Sequence, residues 1–207
     1  TGFKETNQYL RQCRISYTGT PLRKQFYNSN QLPDWVPNHE GPLLLVMGGS
    51  QGANGINQML NYSLNFLLKN NIRIVHLTGD NENISLNFKK DKNYVNKRFI
   101  NNIAALMQNC DLVISRSGAG AINELMQTQK PSILIPFPDS KNNHQEKNAL
   151  ILSSLGGAIL INQNLNSNIY LKEILERIFV DQNNDKRKFK ILRIMQKNMS
   201  NFHSIDP

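Results

Sequence analysis

From Gly41 onward, short apolar runs of strand length alternate with longer segments of helical periodicity, and few architectures accept that order. Leu43 to Met47, Ile72 to Thr78, Leu112 to Ser115, Ser132 to Pro136 and Ala158 to Ile161 are β-rich runs. The segments between them are long enough to return the chain by a helix, which is the pattern of βαβ units and a parallel sheet. The clearest helix follows the first run, where Ile56, Met59, Leu60, Leu64, Leu67 and Leu68 recur at three- and four-residue intervals and form one apolar face. Further helices are expected over 103–109, 121–129, 145–155 and 169–180. Parallel crossovers are right-handed, so these elements should wind into an α/β, doubly wound, Rossmann-like sheet with ligands outside the carboxyl ends of its strands. Chemistry is therefore to be sought just after each strand.

The flanks read differently. Residues 1–40 carry Pro21, Pro33 and Pro37 with few periodic apolar residues, which suits a linker or the tail of a preceding domain. Thr1 is not an initiator Met and the first residues have no signal-peptide character, so the chain is expected to begin inside a longer protein. At the other end, residues 185–202 place Lys186, Arg187, Lys188, Lys190, Arg193 and Lys197 around Phe189, Leu192, Met195 and Met199. That is a basic amphipathic helix, suited either to docking by its apolar face or to contact with a membrane or partner.

Charge and cysteine content narrow the function classes. The net charge of +9, from 24 Lys+Arg against 15 Asp+Glu, favours an anionic partner without choosing among nucleic acid, phosphate-bearing ligands and acidic lipid. Nothing approaches a run of apolar residues long enough to span a bilayer. With only Cys13 and Cys110, neither a disulfide framework nor a C-x-x-C metal site is expected.

Three motifs follow strands and precede helices. In Gly48-Gly49-Ser50-Gln51-Gly52-Ala53, glycines permit a tight turn and let backbone amides approach an anion at the positive end of a helix. It is neither a Walker A loop nor a G-x-G-x-x-G fingerprint, and His76-Leu77-Thr78 stands where a dinucleotide site needs an acidic ribose ligand, with Asp80 too late. In Ser115-Arg116-Ser117-Gly118-Ala119-Gly120-Ala121, small residues leave the amides of Ala119, Gly120 and Ala121 free for an anion. Glu124 follows about one turn into the helix, where a carboxylate either accepts hydrogen bonds from a ribose or favours the helix start. The third motif, Pro136-Phe137-Pro138 through His144, Gln145 and Asn148, puts Gln145 and Asn148 on one helix face, where amides can read sugar hydroxyls.

Taken in this order, with Thr18-Gly19-Thr20-Pro21-Leu22-Arg23 and Phe99-Ile100, the motifs resemble the MurG family of glycosyltransferase family 28. Its members are the N-acetylglucosaminyltransferases that make lipid II in peptidoglycan synthesis. Each piece alone is weak; the combination is specific and covers the chain from about Thr18, although Thr20 stands where the family usually has Asn. The resemblance implies the carboxyl-terminal, donor-binding half of a two-domain GT-B fold. Residues 1–20 would then be a remnant of the N-terminal acceptor domain, 21–40 an interdomain linker, 41–184 the nucleotide-sugar domain and 185–207 the C-terminal basic helix.

Carried over by motif position, Arg23 and Ser50 would bind the diphosphate beside the phosphate-loop glycines Gly48, Gly49 and Gly52. The Ile100 backbone would recognise uracil. The amides of Ala119, Gly120 and Ala121 would face the diphosphate, Glu124 the ribose, and His144 and Gln145 the N-acetylglucosamine. The implied reaction is inverting transfer from UDP-N-acetylglucosamine to the muramoyl 4-hydroxyl of lipid I, with neither cofactor nor metal. The implied location is the cytoplasmic face of the bacterial inner membrane, with peripheral contact to anionic lipid and no nucleic acid.

The family's amino-terminal half carries a glycine-rich loop ending in His that serves the acceptor side, and no such loop occurs before Gly48. The expectation is therefore that this chain holds no catalytic base, binds UDP-N-acetylglucosamine without turnover by itself, and meets lipid I only through the other half. Two rival readings share the fold: a separate donor-binding subunit of a split transferase, and a UDP-sugar epimerase. Epimerases usually have two consecutive Glu residues where this chain has Asn123-Glu124.

Overall fold

The computed structural model describes residues 14, 16, 20–28, 30–48, 54–80, 88, 90–180 and 189–200. Six strands, β1 (Leu43–Met47), β2 (Arg73–Leu77), β3 (Tyr94–Lys97), β4 (Leu112–Ser115), β5 (Ser132–Leu134) and β6 (Ala158–Leu160), form one sheet in the order β3-β2-β1-β4-β5-β6. Every pairing is parallel. This is the doubly wound Rossmann order, in which the chain reverses direction between β1 and β4 and opens a crevice at their carboxyl ends.

Helices cover both faces, so the central strands β1, β2, β4 and β5 are buried on both sides and their residues alternate between two cores. Leu44, Val46, Ile74, Leu112, Ile114 and Ile133 pack with α1 (Asn54–Lys69), α5 (Ser167–Phe179) and α6 (Lys190–Ser200). Leu43, Leu45, Val75, Val113 and Leu134 face α2 (Ile103–Asn109), α3 (Ala119–Thr128) and α4 (His144–Ser154). The apolar stripe read in α1 lies in the first core, with Ile56, Leu60, Leu64 and Leu67 fully buried.

Strand β3 is a difference from the sequence reading. Only Tyr94 and Val95 mark it, because an edge strand pairs on one side and tolerates the exposed Lys97. The fourth expected run, Ser132 to Pro136, is ladder-paired only to Leu134. The carbonyls of Ile135 and Pro136 are taken by the Arg116 guanidinium instead of a neighbouring strand.

The stretch expected to link domains packs closely on this body. Phe26 and Val36 are buried in the second core, and Asn30 accepts from Asn109 through its carbonyl at 2.8 Å while its own amide donates to Gln108 Oε1 at 3.0 Å. Arg73 fastens the end of the stretch by donating to the carbonyls of Gly41 and Pro37. This strap carries Arg23 to the crevice. Gly41 has φ +133°, and a Cβ there would stand 2.3 Å from the Asn71 carbonyl oxygen, so the crossing of strap and α1 exit requires glycine.

Helix α6 docks as the apolar-face reading expects. Leu192 and Met195 enter the first core and Met199 the second, against Gly157, where a Cβ would lie 2.3 Å from Met199 Cγ. Lys190, Arg193 and Lys197 face solvent. The remainder of the expected 185–202 helix, like residues 1–13 including Cys13, lies outside the described residues. Cys110 is a free, fully buried thiol whose pKa burial pushes up to about 12, so it is unreactive near neutrality.

Candidate nucleotide-sugar site

The crevice at the β1/β4 switch is a cleft of about 1040 Å³, large enough for a nucleotide-sized ligand. Its wall brings together Arg23 from the strap, Gly48 after β1, Ile100 before α2, Gly120, Ala121 and Glu124 on α3, and His144 and Gln145 on α4. Ala119 sits exposed at the first position of α3. Gly49, Ser50 and Gly52, also expected to contribute, lie outside the described residues.

The anion end is built by α3. No side chain caps its N-terminus, and the first intrahelical bond runs from Ile122 N–H to the Gly118 carbonyl at 3.0 Å. The amides of Ala119, Gly120 and Ala121 precede that bond and have no helical acceptor, so partial positive charge is directed outward. A Cβ at Gly118 or Gly120 would meet no atom within 4 Å. Protein packing does not demand these glycines; they leave space in the cleft wall.

Glu124 lies in the second turn, beyond the reach of a helix-start role. Its carboxylate accepts from Arg23 Nη2 at 2.8 Å, with 17% of the Glu124 side chain and 50% of the Arg23 side chain exposed. Arg23 is also steadied over the Phe26 ring, 5.3 Å from its centroid. Asp80, the late acidic residue after β2, is instead ion-paired to Arg98.

At the opposite end, consecutive left-handed residues Asn142 and Asn143, both at φ 53°, turn the chain into α4. Asn tolerates that conformation, and it recurs where a loop is held for a purpose. His144 Nδ1 donates to the Lys141 carbonyl at 2.6 Å, which leaves Nε2 for the cleft. Gln145 Oε1 accepts from the Phe137 amide at 3.0 Å, so its NH₂ group is the end available to a ligand. Asn148 departs from the sequence reading. It does not line the cleft, and its side-chain amide donates to the Ser117 carbonyl at 3.0 Å, clamping the second motif to α4.

Two wall residues were not foreseen as functional. Arg116, 8% exposed, donates to the carbonyls of Ile135 and Pro136 and to Gln163 Oε1 at 3.0, 2.8 and 2.9 Å. Burial pushes its pKa down from the usual guanidinium range. Gln163 in turn packs on Gly55 in the first turn of α1. Arg116 was visible inside the second motif, but a residue immediately after a buried strand gives no periodic sign of where it points. Gln163 lies in an Asn-rich stretch that reads as loop. Among the described residues no group of three or more His, Cys, Asp or Glu could hold a metal ion.

The profile of the glycosyltransferase family 28 C-terminal domain matches residues 43–202. A Prochlorococcus marinus (strain MIT 9515) protein, named a UDP-N-acetylglucosamine--N-acetylmuramyl-(pentapeptide) pyrophosphoryl-undecaprenol N-acetylglucosamine transferase, is 60% identical over 206 residues, or 99% of this chain and 56% of that protein. The strain MIT 9301 protein of the same name is 61% identical over 97% of this chain and 55% of its own length. The chain thus spans about half the length of the curated relatives it matches. Acinetobacter baumannii MurG superposes with a TM-score of 0.65 at 21% identity, over 89% of this chain and 50% of that one. SnogD from Streptomyces nogalater gives 0.56 at 20%, over 95% and 50%. At these identities the two structures establish the shared fold.

Proposed function

The chain belongs to glycosyltransferase family 28, and on that premise we propose that it is the donor-binding part of an inverting transferase. The enzyme moves N-acetylglucosamine from UDP-N-acetylglucosamine to the muramoyl 4-hydroxyl of lipid I, forming lipid II. The observation that carries the reading is the convergence of Arg23, Glu124, the α3 amides and the His144–Gln145 turn on one cleft at the sheet's switch point.

Each part has a chemical task. Glu124 accepts the ribose hydroxyls, and the Ile100 backbone reads the uracil edge. Arg23, Ser50 and the amides of Ala119, Gly120 and Ala121 take the diphosphate. Breaking the sugar–phosphate bond leaves negative charge on UDP, and fixed amide dipoles with a guanidinium stabilise that charge as it develops. His144 Nε2 and the Gln145 NH₂ hold the sugar. The base that deprotonates the acceptor hydroxyl, together with lipid I itself, belongs to the other half of the enzyme. The exposed Lys190, Arg193 and Lys197 on α6 add a cationic face for peripheral contact with anionic lipid at the cytoplasmic side of the inner membrane. No described helix is long and apolar enough to cross one.

Calorimetric titration tests the reading. UDP should bind tighter than inorganic diphosphate, because base and ribose contribute contacts; equal affinities would reject the site. With a lipid I analogue the chain alone should give no lipid II, and steady turnover would overturn the division of labour.

A further inference from the structure

Arg116 is a buried arginine of the cleft wall with no ion pair among the described residues. Arg23 is paired with Glu124 and Arg98 with Asp80. Arg116 is the most deeply buried of the three, and its recorded partners are neutral: two main-chain carbonyls and the Gln163 amide oxygen. Among the described residues no carboxylate lies within ion-pair distance of it. A buried charge without a counter-charge is costly, and proteins retain one where something else supplies the missing charge.

Its position says what that something is. Arg116 is the second residue of the second motif, two residues before the Gly118 cap of α3, and lines the same cleft as Gly48, Gly55 and Gly120. Through Gln163, which packs on Gly55, it ties the carboxyl end of β4 to the first turn of α1. One buried guanidinium therefore stands where the end of β4, the end of β5 and the first turn of α1 meet at the switch point. Phe137 covers it, with the ring centroid 5.4 Å from the Arg116 Cζ. Three carbonyl-type acceptors fix the group's plane, so it is oriented before any ligand arrives.

We propose that Arg116 is a second diphosphate-binding cation, whose counter-ion is the diphosphate of the nucleotide sugar. This rests on the functional reading above and extends it. Arg23 is half-exposed and already paired with Glu124, whereas Arg116 is held by three acceptors and 8% exposed, so its attraction to the diphosphate is less screened. Arg116 adds to the site's preference for a diphosphate over an uncharged nucleoside.

The test uses Arg116→Gln and Arg116→Lys in the chain, titrated with UDP, inorganic diphosphate and uridine, with thermal melting followed by circular dichroism to establish folding. Arg116→Gln should weaken UDP and diphosphate by roughly 10- to 100-fold, the range for a charged hydrogen bond, and leave uridine within about twofold. Arg116→Lys, which keeps the charge but not the fork, should recover part of that loss. Equal weakening of uridine and UDP in both variants, or UDP binding by Arg116→Gln close to that of the unaltered chain, overturns the inference. If Arg116→Gln does not fold, the guanidinium ¹⁵N resonance of Arg116 in the unaltered chain, assigned against Arg116→Lys, decides. A shift with inorganic diphosphate but not with uridine supports the proposal, and no shift overturns it. Should the unaltered chain bind neither UDP nor diphosphate, the functional reading falls as well; should it bind both while Arg116→Gln does too, only this inference falls.

Discussion

Replacing Glu124 with Ala separates the ribose role of this carboxylate from its ion pair. In the free protein Glu124 holds Arg23 at 2.8 Å. Because half of the Arg23 side chain is in water, that pair is worth roughly 0.2 to 1 kcal/mol. A ribose hydroxyl donating to a carboxylate contributes about 1.5 to 3 kcal/mol. Ligand binding must loosen the ion pair to engage both partners, so the substitution removes the ribose bonds and also that opposing cost. The net loss for UDP is then about 1 to 2 kcal/mol, roughly a 5- to 30-fold rise in Kd. Inorganic diphosphate has no ribose and meets an Arg23 already released, so its affinity should hold or rise slightly. Parallel calorimetry with the two ligands reads both numbers. Unchanged UDP affinity, or a proportional fall for diphosphate, refutes the assignment of Glu124 to the ribose.

Other outcomes follow from the same geometry. Arg23→Ala should weaken UDP and leave uridine unchanged or slightly tighter, because Glu124 is freed; a parallel loss of uridine in calorimetry would contradict this. Buried His76 accepts from the Tyr94 hydroxyl at Nδ1 and donates from Nε2 to Asn57 Oδ1, at 2.8 and 2.9 Å, and burial holds its pKa at about 4. The unfolded chain binds that proton first, so this contribution is complete above pH 6.5 and is lost as pH falls toward 4. It amounts to about 3 kcal/mol, and urea unfolding of His76→Gln should show a shallower slope over that window. Gly41→Ala combines positive φ with a clash on a main-chain oxygen, so it should cost at least roughly 1 to 3 kcal/mol, read as a lowered urea midpoint. Replacing Lys190, Arg193 and Lys197 by Ala should weaken co-sedimentation with anionic vesicles, at about 1 kcal/mol per contacting charge, and leave UDP binding intact.

The sheet was legible because burial on both faces leaves continuous β-branched and leucine runs, and because α1 repeats its apolar residues with helical spacing. Strand β3 escaped notice for the converse reason: an edge needs little apolar sequence. The strap was legible only as non-periodic chain. Its packing depends on isolated residues, Phe26 and Val36, and on main-chain bonds to Gln108 and Asn109 that no pattern announces. At the site, the cleft-wall positions of Gly48, Gly118, Gly120 and Glu124 could be read because turn geometry and helix spacing constrain them. Arg116 and Gln163 could not, since their contacts join β4, the end of β5 and the loop after β6, which meet only once the sheet is wound. Asn148 shows the opposite error, where correct helical spacing with Gln145 placed it near the cleft but a clamp on Ser117 uses its amide.

On the proposed function, one cleft of this chain takes the whole nucleotide sugar without the other half of the enzyme. Calorimetric titration of UDP-N-acetylglucosamine, repeated in the presence of saturating UDP, tests it most directly. The nucleotide sugar should bind at a single site, and saturating UDP should abolish that binding. Absence of binding, or binding that persists unchanged under saturating UDP, would contradict it.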